Sequence, residues 1–362
     1  MPITKNHKSV SLFSGGGGLD LGFESAGFNS ILCTDIEQIA CETLRQNGIG
    51  KIIINKPIEN ISNEELKNIK DISDIDVVIG GPPCPAFSKS RFYRKEMTHG
   101  TDDPSFSTVI DYFRVIKTLQ PKFFVFENVH TFAAKRQKGA LDYVLNKAKE
   151  IGYETKWQVL NALNFGVPQK RQRFILVGYI PGYTFSFPEI THKDPKSNNN
   201  FETHLPIWKN AGEAIGDLYE EENGPDLPGH FAGGKDHNLL KDIPPGDNYL
   251  FFTKKRGHPN PIFKWRSRYW SFLLKLSPDQ PSWTIQARRS NNMGPFHWRS
   301  RILTIPEVKR LQTFPDDFKF SGSIEQQWRQ IGNAVPPLLA KCIANQIIES
   351  LNRREADGIK AA

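Results

Sequence analysis

The chain has 362 residues, 38% of them hydrophobic, enough for a large domain plus a smaller one and a sizeable core. Its formal net charge of +8 suits a polyanionic partner. No apolar run is long enough to cross a membrane. Met1 to Lys8 is polar, with no signal-peptide core, so a cytoplasmic protein is expected. Cys33, Cys41, Cys84 and Cys342 show no paired spacing, which indicates neither a metal site nor a disulfide framework.

Val10 to Phe13 reads as a first strand, followed by four glycines and a helix-like Leu19 to Ala26. Strand, glycine turn and helix together make a nucleotide-site signature, although a glycine run alone is often only a flexible turn. The spacing is not that of a dinucleotide fingerprint, and no Lys-Ser or Lys-Thr pair follows to make a phosphate loop, so a ligand without phosphates fits better. A second strand, Ser30 to Cys33, ends at Asp35. That carboxylate can accept two ribose hydroxyls, or cap the helical pattern from Ile36 to Asn47.

Asp76 to Ile79 is an apolar run stopped by Gly80-Gly81-Pro82-Pro83. Cys84 is then presented beyond the carboxyl end of a strand, where open α/β sheets place their ligands. The polar, basic stretch after it reads as a lid. Phe106 to Leu119 is helical in pattern. Lys122 to Phe126 is a buried strand with Glu127 at its carboxyl end, where an ionisable group is costly unless used or paired; capping a helix is the alternative role. Strands Trp157 to Leu160 and Phe174 to Gly178 bracket Gln169-Lys170-Arg171-Gln172-Arg173. Alternation puts Arg171 and Arg173 on one face, able to reach one site, though a solvated edge strand would look the same.

Near residue 186 the composition turns loop-rich. From Lys254 the chain is basic and aromatic, with Lys255, Arg256, Lys264, Trp265, Arg266, Arg268, Tyr269, Trp270 and Lys275, then Arg288, Arg289, Arg299 and Arg301. Between residues 251 and 310 only Asp279 and Glu307 oppose these charges. That one-sidedness favours a phosphate-tracking surface. Pro336-Pro337 opens a helix whose apolar stripe, Leu338, Leu339, Cys342, Ile343 and Ile347, should pack back on the large domain.

Five segments in order resemble the cytosine-5 DNA methyltransferases of the bacterial modification-methylase type: Leu12 to Asp20, Gly80 to Cys84, Glu127 to Val129, Gln169 to Arg173 and Gln330 to Pro337. The resemblance implies an S-adenosylmethionine-dependent methyltransferase fold, Rossmann-like and α/β, with a small loop-rich target-recognition domain. We expect a catalytic and cofactor-binding domain at 1–185, a DNA target-recognition domain at 186–300, and a return segment with a C-terminal helix at 301–362. By resemblance, Cys84 is the nucleophile, Glu127 the acid, and Arg171 and Arg173 stabilising charges. Phe13, Gly15, Gly18, Asp35, Ile36, Ile58, Pro83, Asn333 and Ala334 would contact S-adenosylmethionine. Ser88, Lys89, Arg91, Lys254, Lys255, Arg256, Arg266, Arg268, Arg288 and Arg289 would contact double-stranded DNA. Three positions depart from the family: Pro57 stands where many relatives have an aspartate, Pro85 replaces the glutamine after the cysteine, and Ser105 replaces an arginine.

The chemistry agrees. Carbon 5 of cytosine is a poor nucleophile until a thiolate adds at carbon 6, a buried carboxyl can protonate nitrogen 3, and the base must be flipped out to be reached. A monomer is expected, with a restriction endonuclease cutting the same site as companion. Three alternatives differ: an RNA cytosine-5 methyltransferase, whose Cys-Phe-Thr tripeptide is absent; a non-catalytic DNA binder, which would need neither Cys84 nor Glu127; and a small-molecule methyltransferase, which would leave the basic region unexplained.

Overall fold

A computed structural model describes residues 6–83, 106–218 and 227–361, apart from the side chains at 136, 200 and 355–361. Seven strands form one sheet: β1 (His7–Leu12), β2 (Phe28–Asp35), β3 (Ile52–Asn55), β4 (Val77–Gly80), β5 (Phe123–Val129), β6 (Glu154–Asn161) and β7 (Gln172–Tyr179), in the spatial order β3-β2-β1-β4-β5-β7-β6. The first five run parallel; β7 is antiparallel to both β5 and β6. The order reverses between β1 and β4, and that switch point opens a crevice at the carboxyl ends of the strands.

Alternation along the central strands sorts side chains into two layers. Val78, Phe124, Phe126, Phe174 and Leu176 face one core, closed by α3 (Asn63–Lys67), α4 (Ser107–Leu119) and α5 (Lys138–Glu150). Val77, Ile79, Phe123, Val125, Ile175 and Val177 face the other, closed by α1 (Gly18–Ala26) and α9 (Pro337–Ala361). Such strands read as continuous apolar runs because both faces are covered. Each fully buried phenylalanine stabilises the fold by about 1.5–3 kcal/mol.

In α9, Leu339, Ala340, Ile343, Ala344, Ile347 and Leu351 make the inward stripe, and the helix lies so close to α1 that a Cβ on Gly22 would sit 2.4 Å from that of Ala340. The carboxyl-terminal segment therefore completes a layer that begins at residue 18.

A third core joins the loop-rich stretch to the return segment. Tyr249, Phe252, Phe272, Leu273, Ile285 and Phe296 pack with residues of α7 (Ile305–Leu311) and α8 (Ile324–Asn333) and with Phe314, Phe318 and Phe320 between them. Among the described residues of 186–300 there is one α-helix, the five-residue α6 (Ala211–Ile215), and isolated bridges rather than strands. α2 (Gln38–Gln46) follows β2 and lends Leu44 to this core.

Candidate active site

The cleft at the switch point has a volume of about 570 Å³. It is walled by the glycine turn after β1, the end of β2, Gly81 to Pro83 after β4, the end of β5, Arg173 and the last turn of α8. Phe13, Gly15, Gly18, Asp35, Ile36, Pro83, Asn333 and Ala334 all line it, as do Glu127 and Arg173. Phe13 is held at φ +56°, a conformation rare for a bulky side chain and one that marks functional turns.

Asp35 fixes the turn. Gly15 N–H donates to its Oδ2 at 2.7 Å and Glu37 N–H to its Oδ1 at 2.8 Å. Burial pushes its carboxyl up, against the pull of these backbone donors. The residue at the N-cap of α2 is Glu37, without a side-chain cap bond, so Asp35 does not cap that helix. Ile36 beside it is 64% exposed on the cleft wall.

Glu127 and Arg173 form an ion pair at the cleft floor, Arg173 Nε 2.7 Å from Glu127 Oε1, with side chains 11% (Arg173) and 13% (Glu127) exposed. Their strands are neighbours, β5 beside β7. Burial drives the Glu127 carboxyl up while the guanidinium groups of Arg173 and Arg171 oppose it; burial drives Arg173 down. A Cβ at Gly81 would sit 2.6 Å from Glu127 Oε2, so a side chain there would displace the carboxyl. Asn128, to which the sequence assigned no role, donates through Nδ2 to Pro82 O at 3.3 Å and accepts from Val129 N–H at 2.9 Å. Thr108 Oγ1 donates to Pro83 O at 3.2 Å. Both tether the main chain entering Cys84. A side chain bonding two nearby main-chain groups leaves no pattern in sequence.

Two expected site residues lie elsewhere. Arg171 is 1% exposed and does not line the cleft. It precedes β7, and its guanidinium donates to the carbonyls of Gly332 (2.6 Å), Ala334 (2.8 Å) and Ile285 (3.2 Å) and to Gln169 Oε1 (3.4 Å). It is a strut under the cleft wall rather than a charge inside it. Ile58 is 4% exposed within the core under α4, and its carbonyl accepts from Arg114 Nη2 at 2.8 Å. Cys84, Ser88, Lys89 and Arg91, with Pro85 and Ser105, fall outside the described residues.

On the basic stretch, Lys254, Lys255, Arg256, Arg266, Arg268 and Arg288 are exposed. Lys254, Lys255, Lys264 and Trp265 line a groove of about 690 Å³, with Lys255 Nζ 4.4 Å from the Trp265 ring. Two of the expected DNA-binding residues are partly committed within the protein. Arg256 pairs with Asp247 at 2.6 Å. Arg289, its side chain 13% exposed, is 3.3 Å from Glu325 and also donates to Gly229 O. Arg301 leaves the surface entirely: it is 1% exposed and bonds Glu307 through both terminal nitrogens, at 2.9 and 2.7 Å. Burial alone would raise the Glu307 carboxyl, yet Arg301 and His297 hold it below the usual range. Among the described residues no cluster of His, Cys, Asp or Glu could hold a metal ion, and no helix is long and apolar enough to cross a membrane.

The sheet order, the antiparallel β7 and the glycine-lined cleft define the fold of the S-adenosylmethionine-dependent methyltransferases. A prophage-encoded protein of E. coli, described as a DNA modification methyltransferase, shares that fold with a TM-score of 0.65 at 22% identity, over 96% of this chain and 100% of the other. The family model for C-5 cytosine-specific DNA methylase matches residues 7–349. The Type II methyltransferase M.SacI of Streptomyces achromogenes is 38% identical, covering 96% of this chain and 94% of that protein. M1.HphI of Haemophilus parahaemolyticus is 32% identical, over 94% and 86%. The chain belongs to the C-5 cytosine-specific DNA methylase family and is a DNA (cytosine-5-)-methyltransferase of the Type II kind.

Proposed function

We propose that the chain methylates carbon 5 of a cytosine flipped out of a specific duplex sequence, through a covalent adduct on Cys84, with S-adenosylmethionine as donor. The observation that carries this reading is the placement of Glu127 and Arg173 in one cleft with the glycine turn, Asp35 and the Gly81-Pro82-Pro83 approach to Cys84. The cleft residues fit the donor. Its two described arginines, Arg173 and Arg329, are each paired with a carboxylate, as suits a ligand without phosphates. Asp35 offers remaining lone pairs to ribose hydroxyls, Ile36 an apolar face to the adenine, and the turn its main chain to the methionine end.

S-adenosylmethionine supplies an electrophilic methyl group on sulfur. The Cys84 thiolate adds to carbon 6, forming a carbon–sulfur bond and moving an electron pair toward carbon 5. Glu127 gives a proton to ring nitrogen 3, neutralising the charge that develops there; its raised carboxyl suits that task. Carbon 5 takes the methyl group as the donor's methyl carbon–sulfur bond breaks and leaves the pair on sulfur in neutral S-adenosylhomocysteine. Carbon 5 then loses its proton to water or hydroxide. The electron pair expels the thiolate, and nitrogen 3 returns its proton to Glu127. Arg173 orients the carboxyl across the 2.7 Å ion pair.

Residues 1–185 and 301–362 would form the catalytic body and residues 186–300 the part that chooses the target. The protein would act in the cytoplasm as a monomer, beside a restriction endonuclease cutting the same site. Bisulfite sequencing of DNA from cells expressing the chain tests the reading. Protected cytosines should fall at one position of one short motif; full conversion everywhere would refute it.

A further inference from the structure

The cleft holds a second ion pair among the described residues. Arg329 Nη2 lies 3.0 Å from Glu37 Oε2, and both residues line the cleft. Glu37 occupies the N-cap position of α2 and Arg329 belongs to α8, so the pair joins opposite walls. Unlike Glu127 and Arg173 at the floor, these side chains are 46% (Arg329) and 55% (Glu37) exposed, which puts the pair at the rim. Arg329 and Asn333 are four apart in one helix and share its cleft-facing stripe. Ile36, next to Glu37, presents its exposed side chain to the same space.

We propose that Glu37 and Arg329 form a strap across the mouth of the donor cleft, which holds S-adenosylmethionine in place by closing over its adenosine half. The proposal rests on the reading of this cleft as the donor site. An exposed ion pair usually contributes little, because two long side chains must be ordered to make it. Here both supports are already fixed. On the buried side, Thr43 Oγ1 of α2 donates to Gln330 Oε1 at 2.7 Å and accepts from Ser321 N–H at 2.9 Å. Asn47 exchanges two bonds with Lys319, at 2.7 and 2.9 Å. Gln330 Nε2 closes the loop on Ser321 O at 3.0 Å. The walls carrying the strap are thus riveted next to Arg329, at Gln330, and further along α2 from Glu37, at Thr43 and Asn47. Glu37 is positioned further by its own N–H bond to Asp35, the residue expected to hold the ribose. The strap and the ribose carboxylate therefore move as one unit. Glu37 and Arg329 act as positioning residues that never touch the reacting atoms.

The test measures binding and dissociation of S-adenosylmethionine by the purified full chain, using calorimetry and stopped-flow fluorescence. Arg329→Ala and Glu37→Gln should each weaken binding and speed dissociation by about 2–5-fold, the range of an exposed pair. The difference from wild type should shrink as salt rises. The charge-reversed double variant, Glu37→Arg with Arg329→Glu, should recover most of the loss, which a general disturbance of the fold would not do. Unchanged single variants, or a double variant that shows the simple sum of two losses, would overturn the strap alone. A wild-type chain that does not bind S-adenosylmethionine would overturn the donor reading and the strap with it.

Discussion

Replacing Arg171 with methionine separates a strut from a reacting charge. The guanidinium makes two short bonds to Gly332 O and Ala334 O and two longer ones, spanning sequence separations of 2 to 163 residues. Methionine keeps an unbranched apolar stem and removes every donor. Ala334 O retains a partner, since Gln312 Nε2 donates to it at 3.0 Å, but Gly332 O and Ile285 O lose the guanidinium. Hydrogen bonds to a charged group contribute about 1.5–3 kcal/mol each, and a buried acceptor left without one costs about 1–3 kcal/mol. Against this stands the relief of no longer burying a cation, which here drives the Arg171 guanidinium well below its ordinary range. We expect a net loss of about 2–4 kcal/mol in chemical denaturation followed by tryptophan fluorescence. Affinity for S-adenosylmethionine should fall as well, because the pinned carbonyls of Gly332 and Ala334 flank Asn333, and Asn333 and Ala334 line the cleft. A variant within about 0.5 kcal/mol of wild type, the range of ordinary surface changes, that binds the donor normally yet transfers no methyl group would refute the strut and return Arg171 to the chemistry.

Neutralising Lys254 and Lys255 should flatten the log-log salt dependence of DNA binding by up to about 0.9 for each phosphate no longer neutralised, whereas Arg256→Ala, already paired with Asp247, should change it less; equal slopes for all three would contradict this. The buried His297 imidazole is pushed down to about 4, chiefly by burial, from 6.5. The unfolded chain therefore takes up that proton first as pH falls: stability should be greatest above pH 6.5, drop between 6.5 and about 4 by up to about 3 kcal/mol, then level off for this group. His297→Gln should flatten that interval, and an unaltered profile would show that His297 does not set it. Exchanging residues 186–300 for the matching stretch of a relative with another target should move the methylated sequence; an unmoved target would refute the division of labour.

The sheet was legible because its central strands are apolar runs ended by sharp signals: glycines after Leu12 and Ile79, carboxylates at Asp35 and Glu127. Strand ends extended further than the runs, as at His7 and Glu154, because pairing with a neighbour carries polar residues into the ladder. Much of the cleft was visible for the same reason, since most of its walls follow strand ends. What stayed hidden were destinations set by the fold. Arg171 and Arg173 alternate as expected, yet one meets Glu127 and the other meets carbonyls more than a hundred residues away. Ile58 looks like any cleft aliphatic until α4 covers it. Arg301 sits in a basic run, and only the nearness of Glu307 takes it inside. Glu37 and Arg329 lie 292 residues apart and carry no local signal of their pairing.

The central claim is the covalent step at Cys84. A fluorine at carbon 5 of the target cytosine cannot leave as a cation, so release after methyl transfer is blocked. Duplex DNA carrying 5-fluorocytosine at the target should accept one methyl group and stay bonded to the protein on a denaturing gel. That bond should need S-adenosylmethionine, map to the peptide containing Cys84, vanish in Cys84→Ala, and form about 10²–10⁴-fold more slowly in Glu127→Gln. A chain that methylates ordinary duplex, binds the fluorinated duplex and still forms no adduct would contradict the account.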